Sequence, residues 1–152
     1  RDITTVLQDA DGLHLAIQSM QDCLKDTEVD VIAGTESRGF IFGVPIAYNL
    51  HKPFVPVRKK GKLPCETISA SYDLEYGADS LEIHVDALSP DDVVLIVDDL
   101  IATGGTAKAA MDLVEAAGGT VVGFSFVMGL RGLDGLDKLG DKPSSTLVSM
   151  PA

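Results

Sequence analysis

The sequence predicts an α/β protein whose doubly wound, mainly parallel sheet is flanked by helices. Short apolar runs alternate with amphipathic helical patterns along the chain, which is the order expected of successive strand–helix units. One run, residues 93–97, is continuously apolar and mostly β-branched, a pattern typical of a strand buried on both faces. No repeat or linker divides the 152 residues, so we expect a single domain over residues 1–152.

The first half of the chain supplies two strand–helix units. Apolar residues recur every three or four positions between Leu13 and Leu24, which predicts a helix with Asp9 or Asp11 as its N-cap. Pro45 lies early in the next helical pattern, near the first turn, where proline is tolerated. The predicted elements are a helix over residues 9–25, a strand over 29–33, a helix over 40–50 and a strand over 54–57.

Residues 59–80 interrupt this alternation with a long excursion that contains Gly61, Pro64 and Gly77. Alternating polar and apolar residues predict two short antiparallel strands in a partly mobile loop, and a loop of this length is usually functional. After it we predict a strand over residues 93–97, a helix over 107–117, a strand over 120–128, a turn or short helix over 132–139 and a last strand over 146–149.

The charge is unevenly distributed along the chain. A formal net charge of −11 argues against nucleic-acid or membrane binding, because both need a basic surface. Yet four of the 12 basic residues fall within five positions: Arg58, Lys59, Lys60 and Lys62. This cluster indicates a site for an anionic ligand.

Neither the cysteines nor the histidines suggest a metal or redox centre. Cys23 and Cys65 do not form a Cys-x-x-Cys pair, and the three histidines lack the spacing of metal ligands. The sequence shows no signal peptide, so we expect reduced thiols and a cytoplasmic location.

The segment that follows the buried strand predicts a phosphate site. Asp98 and Asp99 precede a short loop of small residues, 102–106, which leads into a helix. There a phosphate can meet free backbone N–H groups and the positive end of the helix dipole. The acid pair suits sugar hydroxyls or a magnesium ion. Neither a Walker A motif nor a Gly-x-Gly-x-x-Gly pattern fits this loop.

Three polar segments, residues 34–39, 58–62 and 98–106, each follow a predicted strand. Ligands of parallel α/β sheets bind beyond the carboxyl ends of the strands. We therefore expect the three segments to form one site.

Segment 98–106 resembles the phosphoribosyl-diphosphate signature of the type I phosphoribosyltransferases, in which two acids are followed at fixed spacing by Ala-Thr-Gly-Gly-Thr. Stretches 34–40, 57–64 and 72–77 are similar to the members of that family that use adenine. The resemblance implies the type I fold with a long flexible β-hairpin loop, about residues 59–80, and a small hood. It also implies a purine salvage reaction, in which ribose 5-phosphate passes from phosphoribosyl diphosphate to N9 of adenine and gives AMP and diphosphate.

The resemblance further implies roles for single residues. Glu75, on the mobile loop, would be the catalytic acid/base toward N7 of adenine. Ala102 stands where relatives that use 6-oxopurines commonly carry Asp, which favours adenine. Magnesium (Mg2+) would bind through the diphosphate and the ribose hydroxyls, with no dedicated protein site. The implied phosphoribosyl-diphosphate residues are Glu36, Ser37, Arg38, Arg58, Lys59, Lys62, Asp98, Asp99, Ala102, Thr103, Gly104, Gly105 and Thr106, and the implied adenine residues are Arg1, Tyr76, Leu100 and Leu130.

The family also carries a segment before the Arg-Asp-Ile motif that forms part of the hood. Because the sequence begins at Arg1, inside that motif, we expect this hood segment to be truncated or to lie upstream. The resemblance implies a homodimer. Two alternatives stay open: a phosphoribosyltransferase for another nucleobase, and a regulator that senses phosphoribosyl diphosphate. The second should carry a basic DNA-binding module, which the sequence does not show.

Overall fold

A computed structural model describes residues 2–74 and 77–152, and these form a seven-stranded sheet with helices on both faces. The strands are β1 (Val31–Thr35), β2 (Phe54–Lys59), β3 (Thr67–Leu74), β4 (Gly77–His84), β5 (Val93–Ile101), β6 (Thr120–Arg131) and β7 (Ser144–Pro151). The helices are α1 (Thr4–Leu7), α2 (Ala10–Asp22), α3 (Arg38–Leu50) and α4 (Gly105–Ala116), and a short 3₁₀ helix spans Gly135–Leu139.

The strand order of the sheet confirms the predicted doubly wound fold. The order is β3-β4-β2-β1-β5-β6-β7, and the five strands from β2 to β7 in this order run parallel. β3 and β4 form an antiparallel hairpin that joins the sheet at β2. The chain winds from β1 to β2 in one direction and from β5 to β7 in the other. The crevice between the carboxyl ends of β1 and β5 is therefore the expected ligand site.

The sheet is covered by a hydrophobic core on each face. On one face Ile96 and Phe124 pack with Leu113 of α4, and all three are at most 2% exposed. On the other face Ile32 belongs to one buried cluster with Met20 of α2 and Phe42 of α3. Burial on both faces explains why β5 is a continuous apolar run rather than an alternating one.

Two predictions about the helices have different outcomes. The Asp9 N-cap is confirmed, because its carboxylate accepts a hydrogen bond from the Gly12 N–H at 2.9 Å. Pro45 does not lie in a first turn, because α3 already begins at Arg38 and carries the proline in its interior. The fully buried side chains of Phe42 and Ile46 flank Pro45, and this packing offsets the missing backbone hydrogen bond.

The excursion is more regular than predicted. β3 and β4 each contain eight residues, and their pairing is continuous from Thr67 with His84 to Leu74 with Gly77. α1, a single helical turn, was not predicted from the sequence. None of the helices in the described residues is long and apolar enough to cross a membrane.

Candidate active site

A cavity of about 400 Å³ opens at the carboxyl ends of β1 and β5. All three predicted segments contribute to its wall: residues 36–38, Lys59 and residues 98–107. The expectation that these segments meet at one edge of the sheet is therefore confirmed. The wall also contains Tyr72 and Leu81 from the β3–β4 hairpin.

Residues 102–106, here called the phosphate loop, connect β5 to α4. The first backbone N–H groups of a helix have no partner within the helix. Because α4 begins at Gly105 and residues 104–107 line the cavity, the positive end of its dipole lies at the cavity wall. Thr103 and Thr106 lie on the same wall and add hydroxyl donors. This loop can bind a phosphate group.

The phosphate loop packs directly on the backbone of the 3₁₀ helix. Gly104 has φ +85, a left-handed conformation that favours glycine, and a Cβ there would collide with the carbonyl oxygen of Gly135. A Cβ on Gly135 would in turn collide with the carbonyl oxygen of Ala102. The 3₁₀ helix thus supports the loop, a role for Gly135 that the sequence analysis missed.

The two acids at the end of β5 have different surroundings. Asp99 is 7% exposed and accepts a hydrogen bond from Arg38 Nε at 2.6 Å. Asp98 is half-buried, and its Oδ1 accepts the Asp99 N–H at 2.8 Å. Arg38, at the start of α3, thus connects this helix to the end of β5 at the cavity wall.

The charges of Arg38, Asp98 and Asp99 affect the pKa values of Arg38 and Asp98. Burial raises the pKa of Asp98, and the neighbouring Asp99 carboxylate adds to the rise. The hydrogen bond and the charge of Asp99 raise the pKa of Arg38. The negative charge of ionised Asp98 is consequently poorly compensated. Hydroxyl groups of a ligand would compensate it by donating hydrogen bonds.

Glu36 organises the basic cluster. Its buried carboxylate accepts hydrogen bonds from Lys62 Nζ at 2.7 Å, from the Lys59 N–H at 3.0 Å and from Arg58 Nε at 3.2 Å. Burial alone would raise the pKa of Glu36, but these three donors outweigh it and lower the pKa. Arg58 and Lys62 therefore point to Glu36, and of the basic cluster it is Lys59 that lines the cavity among the described residues.

Tyr72 is a cavity residue that the sequence analysis did not single out. Its ring lies beside Gly105, where an added Cβ would be 3.5 Å from Tyr72 Cδ2, and its hydroxyl interacts with Thr106. Burial raises the pKa of Tyr72, and the charge of Asp79 adds to the rise. The signal was available, because Tyr72 continues the alternation of Ile68 and Ala70, which pack on the core with it.

Comparison with known proteins identifies the family. Residues 4–149 match the phosphoribosyl transferase domain. The chain is 62% identical over 154 residues to an adenine phosphoribosyltransferase of Bifidobacterium longum, and the match spans all of this chain and 80% of that protein. The chain belongs to the adenine phosphoribosyltransferase family.

Solved structures of adenine phosphoribosyltransferases share the fold. The enzyme from Thermoanaerobacter pseudethanolicus aligns with a TM-score of 0.95 and 50% identity, covering 98% of this chain and 87% of that one. The enzyme from Saccharomyces cerevisiae aligns with a TM-score of 0.89 and 41% identity, covering 96% and 85%. The yeast structure is a complex with adenine and D-2,5-dideoxy-2,5-imino-altritol 1,6-bisphosphate.

The family resemblance assigns five residues to contacts with adenine, and the structure describes two of them. Leu100 lines the main cavity, and Leu130 lines an adjoining cavity of about 270 Å³ that shares Ile101 and Ala102 with it. Both leucines pack against the core cluster that contains Ile3. The remaining predicted residues, Arg1, Glu75 and Tyr76, lie outside the described residues.

Proposed function

We propose that this chain transfers ribose 5-phosphate from phosphoribosyl diphosphate to N9 of adenine, giving AMP and diphosphate. The observation that carries the proposal is the cavity in which the phosphate loop, the acid pair and Lys59 share one wall. Anion-binding groups and carboxylates in one cavity suit a ligand that carries both phosphates and sugar hydroxyls. The family to which the chain belongs supports adenine as the acceptor.

The phosphate loop would bind the 5-phosphate, and the acid pair would bind the ribose hydroxyls. Ala102, Thr103, Gly104, Gly105 and Thr106 offer backbone N–H groups and hydroxyls to the phosphate oxygens.

Asp98 and Asp99 accept from the ribose hydroxyls. Because Arg38 already holds Asp99 in place, the ribose is oriented by a carboxylate that does not have to be ordered on binding.

The diphosphate would bind to Ser37, Arg38 and the basic cluster. A departing diphosphate gains negative charge as the glycosyl bond breaks, so cations placed beforehand stabilise the transition state. Lys59 already lines the cavity. Arg58 and Lys62 join it by exchanging the Glu36 carboxylate for phosphate oxygens.

Magnesium is the metal that this family implies. The described residues contain no group of three or more His, Cys, Asp or Glu that could hold a metal ion by itself. The diphosphate and the ribose hydroxyls would hold Mg2+, and Asp98 and Asp99 fit this arrangement as nearby carboxylates, because Mg2+ usually keeps substrate oxygens and water among its ligands. When bound, the metal neutralises charge on the diphosphate.

Adenine would lie against Leu100 and Leu130, with Arg1 and Tyr76 as further contacts. Both leucines are half-buried and pack against one apolar cluster. Ala102 offers no carboxylate at the loop, so the acid/base toward N7 has to come from another element. We propose Glu75, between Leu74 at the end of β3 and Gly77 at the start of β4.

The function is tested by measuring diphosphate release with a panel of bases. We expect adenine to be the preferred acceptor over hypoxanthine, guanine and pyrimidines. A preference for hypoxanthine would contradict the argument from Ala102. Binding of phosphoribosyl diphosphate without base-dependent release of diphosphate would instead identify a regulator.

The role of Glu75 has its own test. Glu75→Ala should lower kcat by about 10²–10⁴-fold, the usual contribution of general acid–base catalysis, with little change in phosphoribosyl-diphosphate affinity. The control is Asp73→Asn, which removes an exposed carboxylate from the same hairpin. Unchanged turnover in Glu75→Ala would remove the residue from the mechanism.

A homodimer and a cytoplasmic location stay predictions. Three exposed apolar side chains on one side of α3, Ile41, Val44 and Tyr48, support association with a second copy. Light scattering measures the oligomeric state directly. The free thiols of Cys23 and Cys65 accord with a reducing compartment.

A further inference from the structure

Glu82 is a buried acid that no step above uses. It lies on β4, is 5% exposed, and has no cationic partner among the ion pairs of the described residues. A carboxylate removed from water is costly unless hydrogen bonds compensate it. The groups that donate hydrogen bonds to Glu82 therefore indicate its role.

The partners of Glu82 belong to the excursion that carries the basic cluster. Its Oε1 accepts the Gly61 N–H at 3.0 Å and the Leu63 N–H at 3.4 Å, and its Oε2 accepts the Thr67 hydroxyl at 3.1 Å. Residues 58–63 are here called the basic segment. One carboxylate thus ties the turn of the basic segment to the start of β3.

Two carboxylates hold the basic segment in different ways. Glu36 binds mainly the charged side chains, Arg58 and Lys62, which a diphosphate would compete for. Glu82 binds the backbone of the segment and its continuation into β3, which a diphosphate leaves untouched. The cations can therefore leave Glu36 while the turn that presents them keeps its shape.

We propose that Glu82 is a positioning residue for diphosphate recognition, because it fixes the backbone of the basic segment from which Lys59, Arg58 and Lys62 act. The inference rests on the proposed function, in that the anion is the diphosphate of that reaction. Without Glu82 the segment must be ordered each time an anion binds, and that ordering lowers affinity.

The direct test is binding of inorganic diphosphate, measured by calorimetry. Glu82→Ala should weaken binding about tenfold, which corresponds to the loss of one well-ordered interaction. Glu82→Gln keeps an acceptor oxygen for the backbone and should recover most of the affinity. The matched control is Glu66→Ala, which removes an exposed carboxylate from the same excursion and should bind like the wild type.

Two further readouts separate positioning from general stability. Trypsin should cleave Glu82→Ala faster after Lys60 and Lys62 than it cleaves the wild type or Glu66→Ala. In steady state, KM for phosphoribosyl diphosphate should rise about tenfold while KM for adenine stays within about twofold. Thr67→Val, which removes one donor, should show smaller changes in the same direction and replaces Glu82→Ala if that variant does not fold.

The proposal is overturned if diphosphate affinity is unchanged in both Glu82→Ala and Thr67→Val, or if Glu66→Ala reproduces the loss. It is also overturned if both KM values rise equally, because that result indicates a general loss of structure. A wild-type protein that binds diphosphate but forms no AMP would contradict the proposed function instead, and the calorimetric comparison would still decide the role of Glu82.

Discussion

The phosphate loop and the basic segment face the same cavity but are built in different ways. Each follows a parallel strand, and each contains a glycine in nearly the same left-handed conformation, Gly104 with φ +85 and Gly61 with φ +87. Gly104 packs against the Gly135 backbone, whereas Gly61 has no atom within 4 Å of where its Cβ would be. The first region is fixed by backbone packing, and the second by two carboxylates from outside it, Glu36 just after β1 and Glu82 on β4.

The acids of the two regions differ in the direction in which the protein shifts their pKa values. Burial raises the pKa of Asp98 beside the phosphate loop, whereas three donors lower the pKa of Glu36 beside the basic segment. The phosphate loop region therefore has an acid whose charge is not compensated until a ligand binds. Glu36 beside the basic segment is already paired with Arg58 and Lys62, and a ligand that binds these two cations has to displace it.

The largest expected effect comes from the glycine pair. Gly104→Ala adds a collision with Gly135 to the backbone strain, so we expect phosphoribosyl-diphosphate affinity to fall by about a hundredfold, which corresponds to about 2.8 kcal/mol. Gly61→Ala carries only the strain, about 1–2 kcal/mol in the free energy of unfolding, and should weaken binding much less than Gly104→Ala does. Calorimetry and urea unfolding measure the two quantities.

Because the φ values match, Gly61→Ala is the control for strain alone. Equal losses of affinity in the two variants would show that strain, and not packing on the 3₁₀ helix, determines the effect.

The sequence predicted the phosphate loop well because its geometry is local. Asp98, Asp99 and the loop are consecutive in the chain, and strand–loop–helix patterning is enough to place them at one edge of the sheet. The same reasoning predicted the sheet, both of whose faces are buried, and two candidates for the N-cap of α2, of which the structure uses Asp9. The prediction that Pro45 lies near the first turn was wrong. Helix propensity alone favours proline at a helix start, but tertiary packing stabilises α3 with Pro45 in its interior.

The basic segment could be recognised from its composition, but its contacts could not be predicted. Glu36 and Lys62 are 26 positions apart, and Glu82 lies 21 positions from Gly61, so neither pairing leaves a periodic signal. The first depends on the register of β1 with β2, in which Thr35 lies opposite Val57, and the second on the register of β4 with β2, in which Arg58 lies opposite Glu82. Register is set by the whole sheet rather than by any one segment.

A second, smaller contrast concerns ion pairs. Arg38→Ala leaves the buried Asp99 without the cation it pairs with, and we expect a loss of about 1–3 kcal/mol in the free energy of unfolding. Lys62→Ala leaves Glu36 with the Arg58 side chain and the Lys59 N–H, so the loss should be about 0–1 kcal/mol. Urea unfolding at neutral pH gives both values. If Lys62→Ala costs as much as Arg38→Ala, the remaining donors do not compensate Glu36.

The smallest expected effect is on the pH dependence of stability, where the two acids act in opposite directions. The folded pKa of Glu36 lies below its ordinary value of 4.5, so its ionisation stabilises the folded state above that pH, and the contribution is lost as the pH falls through the folded pKa. Asp98 behaves oppositely. Its folded pKa lies above 3.8, so ionisation costs stability as the pH rises from there through the folded pKa.

Replacing each acid by its amide should therefore change stability in opposite directions at neutral pH. Glu36→Gln should be less stable than the wild type, and Asp98→Asn more stable, with both differences shrinking as the pH falls below the ordinary value of each acid. Urea unfolding from about pH 3 to about pH 8 measures the differences. Since each variant is compared with the wild type at the same pH, carboxylates that do not interact with the replaced acid cancel. If both differences have the same sign, Glu36 and Asp98 do not differ in whether the folded protein compensates their charge.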